Sequence, residues 1–215
     1  MVIAVDGPGG VGKSTVSRRV AAALDLPHLD TGSTYRVIGL VALRAAASLT
    51  DADAVLAAIE TTRIDIEDGI VTLDDDDVTE ALRSDRVTGA SSTVATLPEV
   101  RARIVAWQRT WVDRHGGSAV VEGRDIGTVV FPNARIKIYL TARAGVRAAR
   151  RSGDDEAAGK STEKIAAELA ARDHADSTRQ ASPLRPADDA VIVDTSDLSI
   201  DDAVGEILAL VAQQD

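Results

Sequence analysis

Short apolar runs alternate with amphipathic stretches along most of the chain. The runs rich in branched aliphatic side chains are VIAVD (2–6), SAVVEG (118–123), ARIKIYL (134–140) and AVIVD (190–194). Such short, continuous runs are typical of strands that a parallel sheet buries on both faces. Apolar residues at helical spacing predict helices over 13–24, 33–47, 98–114, 143–151, 161–172 and 199–212. Strands that alternate with helices predict an α/β fold with a mostly parallel sheet, to which LPHLD (26–30) would add a strand.

Two segments interrupt this alternation. RIDIEDGIVTL (63–73) alternates with period two around Asp68-Gly69, which predicts a β-hairpin and therefore an insertion outside the parallel sheet. The acidic run 74–77 that follows is interpreted as a solvated turn, with Asp77 as a possible helix cap. SGDDEAAGK (152–160) is polar and rich in small residues, and it predicts a mobile loop between two helices.

Composition narrows the class of protein. With 215 residues, 45% of them hydrophobic, the chain can form one or at most two domains with a substantial core. A formal net charge of -10 disfavours binding to nucleic acid or to an anionic membrane, so an anionic ligand would need locally clustered arginines. The absence of cysteine excludes disulfides and thiolate metal sites. Because no apolar stretch is long enough to span a bilayer and no secretory signal precedes the first strand, we expect a cytoplasmic protein.

The first predicted strand leads into a glycine-rich loop. Its residues are Gly7, Pro8, Gly9, Gly10, Val11, Gly12, Lys13, Ser14 and Thr15. They contain the full pattern G-x-x-x-x-G-K-[ST], whose inward backbone N–H groups and positive helix end form an anion-binding cavity. Lys13 could reach the β- and γ-phosphates of a nucleotide, and the Ser14 hydroxyl could ligate Mg²⁺. The motif alone does not separate kinases from switch GTPases or motor ATPases, and a turn that binds nothing is the alternative.

Two later segments follow strands at the edge where an α/β sheet places its ligands. Their polar side chains include Thr31, Ser33, Arg36, Glu122, Arg124 and Asp125. EGRDIGTVVFP (122–132) follows the third strong strand, so its charged residues are candidates for a binding site or for an ion pair that caps the sheet. DTGSTYR (30–36) opens a helix, with Thr31 or Ser33 as its N-cap and Arg36 near its first turn.

Arginines cluster in the last third of the chain. They are Arg143, Arg147, Arg150, Arg151, Arg172 and Arg179. Helical spacing places the first three of them on one helix face. Because guanidinium groups bind oxyanions in a bidentate manner, their position beside a flexible loop suggests a lid that closes over phosphates. The alternative is a solvated basic helix that balances nearby acids such as Asp173 and Asp176.

The histidines and tryptophans are interpreted as structural. His28, His115 and His174 have no second histidine at metal-ligand spacing. Trp107 and Trp111 lie at i and i+4 of one predicted helix, which indicates packing in the core or the insertion rather than a stacking platform.

Five motifs taken together resemble those of bacterial cytidylate kinases. In chain order they are GPGGVGKST, DTGSTYR, ASSTVATLPEVR, VEGRDIGTVVFP and RDHADSTRQASPL, and the resemblance extends from Met1 to the final helix. It implies an α/β P-loop fold of three layers, with a five-stranded parallel sheet, an insertion that binds the nucleoside monophosphate and a short lid. The implied boundaries are a core of about 1–30, 115–150 and 185–215, an insertion of about 31–114 and a lid of about 151–184.

The resemblance also implies an activity and a set of site residues. The family transfers the γ-phosphoryl group of ATP to CMP or dCMP with Mg²⁺, which implies a monomeric enzyme with ATP and the pyrimidine nucleotide as partners. The implied catalytic residues are Lys13, Arg124, Arg147, Arg150 and Arg172, with Ser14 on the metal. The implied CMP-binding residues are Thr31, Tyr35, Arg36, Ser92, Arg101, Arg124, Asp125, Arg172, Asp176 and Arg179.

Within that set, the resemblance gives each residue a role. Arg36, Arg124, Arg172 and Arg179 would hold the phosphate region of the acceptor. Ser92, Arg101 and Asp125 would read the cytosine, Asp176 with Arg172 would contact the sugar hydroxyls, and Tyr35 would line the pocket.

Two alternative functions stay open at this point. Another small-molecule P-loop kinase, such as a UMP or shikimate kinase, would share the loop and the parallel sheet. A non-enzymatic nucleotide switch would share them too, but a switch GTPase should carry a guanine-reading N-K-x-D motif, which the sequence lacks.

Overall fold

The computed structural model describes residues 1–67, 69–153 and 159–213. The strands are β1 (Val2–Asp6), β2 (His28–Asp30), β3 (Ile64–Glu67), β4 (Ile70–Leu73), β5 (Asp76–Asp77), β6 (Ala119–Gly123), β7 (Ile136–Thr141) and β8 (Val191–Asp194). The α-helices are α1 (Lys13–Ala23), α2 (Thr31–Arg44), α3 (Ala52–Glu60), α4 (Asp85–Val94), α5 (Pro98–Arg114), α6 (Ala144–Ser152), α7 (Thr162–Thr178) and α8 (Ile200–Ala212). Two compact units result: Met1–Leu29 with Val112–Asp215, and Asp30–Trp111.

A five-stranded parallel sheet forms the centre of the larger unit. Its strand order is β2-β6-β1-β7-β8, and β2 confirms that LPHLD supplies a strand. Strand β1 pairs in parallel with β6 and β7, and β7 pairs in parallel with β8. The central strands β1 and β6 are buried almost throughout, as their continuous apolar runs predict. The α/β class with a five-stranded parallel sheet is therefore confirmed.

Strands β7 and β8 correct one part of the prediction, because they are not buried throughout, although β7 lies between β1 and β8. Residues along β7 alternate between buried and partly exposed. Strand β8 lies at the edge of the sheet, where Val191 is 43% exposed and Ile192 is 61% exposed, while Val193 is buried. Since an edge strand has a neighbour on one side only, an apolar run predicts the strand but not its burial.

The core of the larger unit joins the sheet to α1 and α8. It includes Ile3, Val5, Val16, Val20, Val120, Ile138, Leu140, Ile207 and Val211. These side chains are all aliphatic, as expected for a chain with 2% aromatic residues. Full burial of each such side chain contributes about 1.5–3 kcal/mol, so the sheet that carries the loop is a stable platform.

The second unit contains a three-stranded antiparallel sheet of order β3-β4-β5. The antiparallel pairing of β3 with β4 confirms the hairpin expected for 63–73, although Asp68 lies outside the described residues. Gly69 takes the positive φ of 81° that the turn requires. Trp111 is buried, and its Nε1 donates to the carbonyl oxygen of Ile66 at 2.8 Å, so this tryptophan attaches the hairpin to α5 and has the expected packing role.

The acidic run 74–77 is exposed, as predicted, but only Asp74 and Asp75 form the solvated turn, because Asp76 and Asp77 form β5. Asp75 pairs with Arg63 across the turn at 2.7 Å. The expectation that Asp77 caps a helix is wrong. Asp77 lies in β5, and its carboxylate accepts a hydrogen bond from the backbone N–H of Thr79 at 2.9 Å, which makes it a turn residue.

Helix α2 begins at Thr31, earlier than the apolar spacing predicts. Its N-cap is Asp30, whose carboxylate accepts from the N–H of Gly32 at 2.8 Å, so the expectation of a Thr31 or Ser33 cap is wrong. Asp is among the best N-cap residues, because its short side chain reaches the free N–H groups of the first turn.

The other predicted helices are confirmed to within a few residues, but α7 extends to Thr178 instead of ending at 172. Helices α3 and α4 were not predicted. Residues 154–158 of the expected loop between α6 and α7 lie outside the described residues. Along the part of the chain that the structure describes, no helix has the length and apolar character needed to cross a membrane.

Candidate nucleotide-binding site

The glycine-rich loop occupies the turn between the end of β1 at Asp6 and the start of α1 at Lys13. Gly7 has a φ of 148°, and a Cβ at this position would lie 2.2 Å from the carbonyl oxygen of Leu140 in β7. No other residue fits there, so the loop begins in direct contact with the sheet. Pro8, Gly9, Gly10, Val11 and Gly12 complete the turn, and Lys13, Ser14 and Thr15 form the first turn of α1. The predicted strand–loop–helix context is therefore present.

Lys13 turns back over the loop. Its Nζ donates to the carbonyl oxygen of Pro8 at 2.7 Å. Burial, followed by the nearby charge of Arg124, lowers the pKa of Lys13 to about 7. Because an anion beside the ammonium would favour its charged form, this lysine is suited to bind a phosphate.

Ser14 lies beside Glu122, which in turn lies beside His28. Its hydroxyl donates to Glu122 Oε2 at 3.0 Å, and the other carboxylate oxygen of Glu122 lies 3.1 Å from His28 Nε2. Glu122 is buried at the end of β6. A hydroxyl and a carboxylate are oxygen ligands of the kind that Mg²⁺ prefers, so these residues fit the predicted metal. His28 has a structural partner, in line with the prediction for the histidines.

Asp6 is a site residue that the sequence reasoning missed. Its buried carboxylate accepts hydrogen bonds from the N–H groups of Ile126 and Gly127, each at 2.8 Å. Burial raises the pKa of Asp6 to about 6, although the two backbone hydrogen bonds oppose the shift. Asp6 thus fixes the π-helical turn Ile126–Val130 to the start of the glycine-rich loop. The signal in the sequence was an ionisable residue at the end of an otherwise apolar strand.

Arg124 and Asp125 follow β6 at the carboxyl edge of the sheet, as predicted. Arg124 Nη1 donates to the carbonyl oxygen of Gly7 at 2.9 Å, and its Nε lies 3.2 Å from Asp176 Oδ2. Asp125 is buried directly before the π-helical turn. The guanidinium of Arg124 is therefore held at the entrance of the loop.

The arginines around α6 have different surroundings. Arg147 donates to the carbonyl oxygen of Gly9 at 3.1 Å and forms an ion pair with Asp173. Arg150 donates to the carbonyl oxygen of Val11 at 3.3 Å and to Oγ1 and O of Thr195 at 2.9 Å and 2.6 Å, so it braces the loop. The expectation that Arg143 shares their helix face is wrong. Arg143 precedes α6 and forms an exposed two-point ion pair with Asp197.

Helix α7 brings four charged residues of the RDHADSTR motif to the same region of the larger unit. Arg172 lies close enough to Lys13 for its positive charge to lower the pKa of the lysine. Asp176 contacts both Arg124, at 3.2 Å, and Arg179, at 3.6 Å. Asp173 contacts the loop itself, and the sequence reasoning did not assign it a site role. Arg124, Arg147 and Arg150 contact the loop, and Arg172 lies near Lys13, which is the arrangement that the expected convergence of arginines requires.

The predicted acceptor-binding residues of the second unit lie on α2, α4 and α5. Arg101 is buried, with its guanidinium carbon 5.3 Å from the ring centre of Tyr35 and its Nη1 3.3 Å from the carbonyl oxygen of Ala95. Arg36 is partly exposed on α2, and the exposed Ser92 donates to a carbonyl oxygen of its own helix. Thr31 is buried in the first turn of α2. Tyr35 and Arg101 therefore form a preassembled pair within this unit.

The fold is that of P-loop kinases. A putative kinase from Chloroflexus aurantiacus is similar, with a TM-score of 0.51 and 16% identity over 100% of this chain and 97% of that chain. A shikimate kinase from Bacteroides thetaiotaomicron is similar, with a TM-score of 0.50 and 12% identity over 99% of this chain and 98% of that chain. Likeness at such low identity defines the fold and not the substrate.

Sequence comparison defines the family. The family model described as cytidylate kinase matches residues 3–213. Cytidylate kinases from Rhodococcus jostii and Nocardia farcinica are 49% and 48% identical to this chain, over its whole length and over 96% and 94% of their own. The chain belongs to the cytidylate kinase family, which confirms the resemblance, and it is a nucleoside monophosphate kinase.

Proposed function

We propose that this enzyme transfers the γ-phosphoryl group of ATP to CMP and dCMP. The observation that carries the proposal is the position of Lys13, Arg124 and Arg147, which all contact carbonyl oxygens of the glycine-rich loop. Cationic groups held around a ring of backbone amides are suited to bind a transferring phosphoryl group between two nucleotides. The cytidylate kinase relatives support cytosine as the acceptor base.

The chemistry needs positioning and charge neutralisation more than proton transfer. A nucleoside monophosphate has a second phosphate pKa of about 6, so its attacking oxygen is largely ionised at neutral pH. A catalytic base is therefore not required. Negative charge develops on the phosphoryl oxygens, and it would be neutralised by the cations Lys13, Arg124, Arg147 and Arg172. Arg150 would keep the loop in place.

Mg²⁺ is proposed to enter with ATP. Ser14 would ligate the ion, and Glu122 would orient the serine hydroxyl or a metal-bound water from its buried position 3.0 Å away. When bound, the ion would neutralise charge on the β- and γ-phosphates. Backbone N–H groups of the loop from Gly7 to Thr15 would hold the phosphates of ATP, with Pro8, which has no N–H, contributing to the shape of the loop.

The residues proposed to bind the acceptor are those that the family resemblance implies. Arg36, Arg124, Arg172 and Arg179 would hold its phosphate, Asp176 with Arg172 its sugar hydroxyls, Ser92, Arg101 and Asp125 its cytosine, and Tyr35 and Thr31 would line the pocket. Cytosine offers an amino donor where uracil offers a carbonyl acceptor. An aspartate accepts from the first and repels the second, while an arginine donates to N3 and O2.

The domain roles follow from these assignments. We assign residues of about 31–114 to the acceptor-binding insertion and about 151–184 to the lid, with the rest as core. The described part of the lid rests on a small apolar cluster of Ala148, Ile165 and Leu169 that joins α6 to α7. Closure of the lid over both nucleotides would exclude water and so suppress hydrolysis of ATP.

A substrate panel tests the proposed function. ADP formation from Mg·ATP is measured in a coupled assay with CMP, dCMP, UMP, AMP or shikimate as the acceptor. We expect CMP and dCMP to give the highest kcat/KM, because only cytosine matches the donors and acceptors of Arg101 and Asp125. Equal rates with all acceptors, or no turnover with CMP, would show that the assignment is wrong.

Asp125→Asn tests how the base is read. Because the amide replaces a carboxylate acceptor with a mixed donor and acceptor, we expect the preference for CMP over UMP to fall about ten- to a hundred-fold. The measurement is the ratio of kcat/KM for the two acceptors at saturating Mg·ATP. Asp113→Asn, an exposed position on α5, is the matched control and should keep the wild-type ratio. Unchanged selectivity in Asp125→Asn would remove this residue from base recognition.

A further inference from the structure

A carboxylate of the protein itself sits on the glycine-rich loop. Asp173 Oδ1 accepts a hydrogen bond from the N–H of Gly9 at 3.3 Å and lies 3.8 Å from Arg124 Nη1. Asp173 Oδ2 forms an ion pair with Arg147. The side chain of Asp173 is only 19% exposed, so these contacts replace most of its hydration. A backbone amide and two guanidinium groups therefore converge on one anionic group.

The packing of α7 fixes this arrangement. Leu169 lies one helical turn before Asp173, on the same helix face. A Cβ at Gly9 would lie 2.9 Å from Leu169 Cδ2, so the absence of a side chain at Gly9 lets α7 approach the loop. Leu169 belongs to the apolar cluster with Ala148 and Ile165. An apolar contact and a charged contact one turn apart thus dock α7 onto the loop.

The partners of Asp173 are the groups assigned above to nucleotide phosphates. Backbone N–H groups of this loop and arginines at its rim are the donors that bind phosphate oxygens. A carboxylate offers the same kind of acceptor in a similar planar arrangement. We propose that Asp173 is an internal anion that holds a phosphate position of the empty enzyme, and that the phosphates of ATP must displace it. The proposal rests on the proposed function, since it requires that ATP binds at this loop.

The electrostatics explain why such a residue is useful. Lys13, Arg124 and Arg147 all contact carbonyl oxygens of the glycine-rich loop, so their positive charges would repel one another in the absence of an anion. Asp173 and Asp176 neutralise part of this charge while the site is empty. This neutralisation weakens the binding of ATP. A ligand that binds only when Asp173 is displaced cannot bind the fraction of molecules in which Asp173 is docked on the loop, so its apparent affinity is lower.

One helix links the two nucleotides through this contact. Asp173 touches the ATP loop, and Asp176, one turn later, is assigned to the acceptor sugar and touches Arg124 at 3.2 Å. Displacement of Asp173 therefore acts on the helix that carries Arg172 and Asp176. Binding of ATP would release α7 for its role in the acceptor site, and binding of the acceptor would assist the release, by thermodynamic reciprocity.

Asp173→Asn is the test, because it removes the charge and keeps the shape. The dissociation constants of Mg·ATP and of inorganic tripolyphosphate are measured by titration calorimetry on the full chain. We expect both anions to bind about ten-fold more tightly to the variant, which corresponds to a docked fraction of about nine in ten in the wild type. Asp173→Ser is a smaller neutral replacement and should show the same increase in affinity for both anions. It replaces Asp173→Asn in the test if the asparagine variant is poorly folded.

Glu168→Gln is the matched control. It removes the same charge from the same helix, but its carboxylate faces Lys160 at 3.1 Å and does not touch the loop. The affinity of the Glu168→Gln variant for both anions should stay within two-fold of the wild-type affinity, because salt at about 0.15 M screens exposed charges. Unchanged or weaker binding in both Asp173 variants, or an equal gain in Glu168→Gln, would overturn the proposal. If the wild type binds no Mg·ATP, the proposed function fails instead, so the two failures are distinguishable.

Discussion

Replacement of Lys13 by methionine is expected to lower kcat by about a thousand-fold or more, because removal of one preorganised donor to a developing oxyanion already costs about a hundred- to a thousand-fold. Lys13 is the one cation that starts α1 and reaches back over the loop to Pro8. Methionine keeps the length and the apolar stem, so the variant should fold. The measurement is ADP formation with CMP at saturating Mg·ATP.

A second readout on the same variant follows from the pKa of Lys13. In the empty enzyme this pKa is lowered to about 7 by burial and Arg124, so at pH 8 the amine is mostly neutral. Phosphate binding favours the ammonium, and wild-type enzyme should take up about one proton per Mg·ATP at pH 8 and much less at pH 6. Calorimetry in two buffers with different ionisation enthalpies measures this uptake.

The controls separate this effect from a general loss of charge. Lys13→Met should abolish the proton uptake, whereas Lys164→Met, at an exposed position of α7, should keep both uptake and turnover. Retention of more than a tenth of wild-type kcat in Lys13→Met, or equal proton uptake in the two variants, would contradict the role given to Lys13.

Arg124→Lys is expected to lower kcat/KM for CMP by about a hundred-fold or more, since lysine cannot reproduce the planar fork of arginine. The guanidinium contacts the Gly7 carbonyl at 2.9 Å through Nη1 and Asp176 at 3.2 Å through Nε. A single ammonium cannot occupy both positions. The measurement is the steady-state rate as a function of CMP concentration, together with a melting curve to show that the variant is folded.

Arg143→Lys provides the matched control for Arg124. Arg143, like Arg124, makes two contacts through its guanidinium, here both with Asp197, but it is exposed and precedes α6 outside the loop. Solvent screens such an exposed ion pair, so the control should be nearly wild type in rate and stability. Near-wild-type kinetics in Arg124→Lys would mean that charge alone suffices at this position.

The sheet was predictable because its strands are chemically distinctive. VIAVD and SAVVEG are short, apolar and branched, and β1 and β6 are buried almost throughout. The loop was predictable because glycine positions with special φ angles leave a fixed pattern of residues. The edge strand β8 was recognised as a strand, but its exposure depends on strand order, which local composition does not contain.

Helix boundaries were predicted least well where polar residues predominate. Helix α4 has a short apolar stripe of Val87, Ala90 and Val94, which is buried in the second unit, but the mostly polar segment TGASST between the two valines obscures it in the sequence. The end of α7 carries RDHADST, with no apolar residue beyond alanine after Leu169. Tertiary contacts of Asp173 and Asp176 accompany this extension, and a period count along the sequence cannot anticipate them.

In the site, the sequence likewise predicted which residues take part but not which partners they contact. Lys13, Ser14, Arg124 and Arg147 were predicted from motifs or spacing, and the structure places all of them around the loop. Asp6 and Asp173 were missed because their importance lies in long-range contacts, to Gly127 and to Gly9. A carboxylate in a sequence does not reveal which amide it will meet.

The close approach of Gly7 to Leu140 bears on which part of the site stays fixed during turnover and which part moves. Since the carbonyl oxygen of Leu140 fills the space of a side chain at this position, the entrance of the loop is in direct contact with the central sheet. Under the proposed function, the amides that would receive phosphate are oriented when the chain folds and would need no reorganisation in each turnover. If the proposed lid moves during the cycle, we expect the motion to involve α7, which contacts Gly9 of this loop through Leu169 and Asp173.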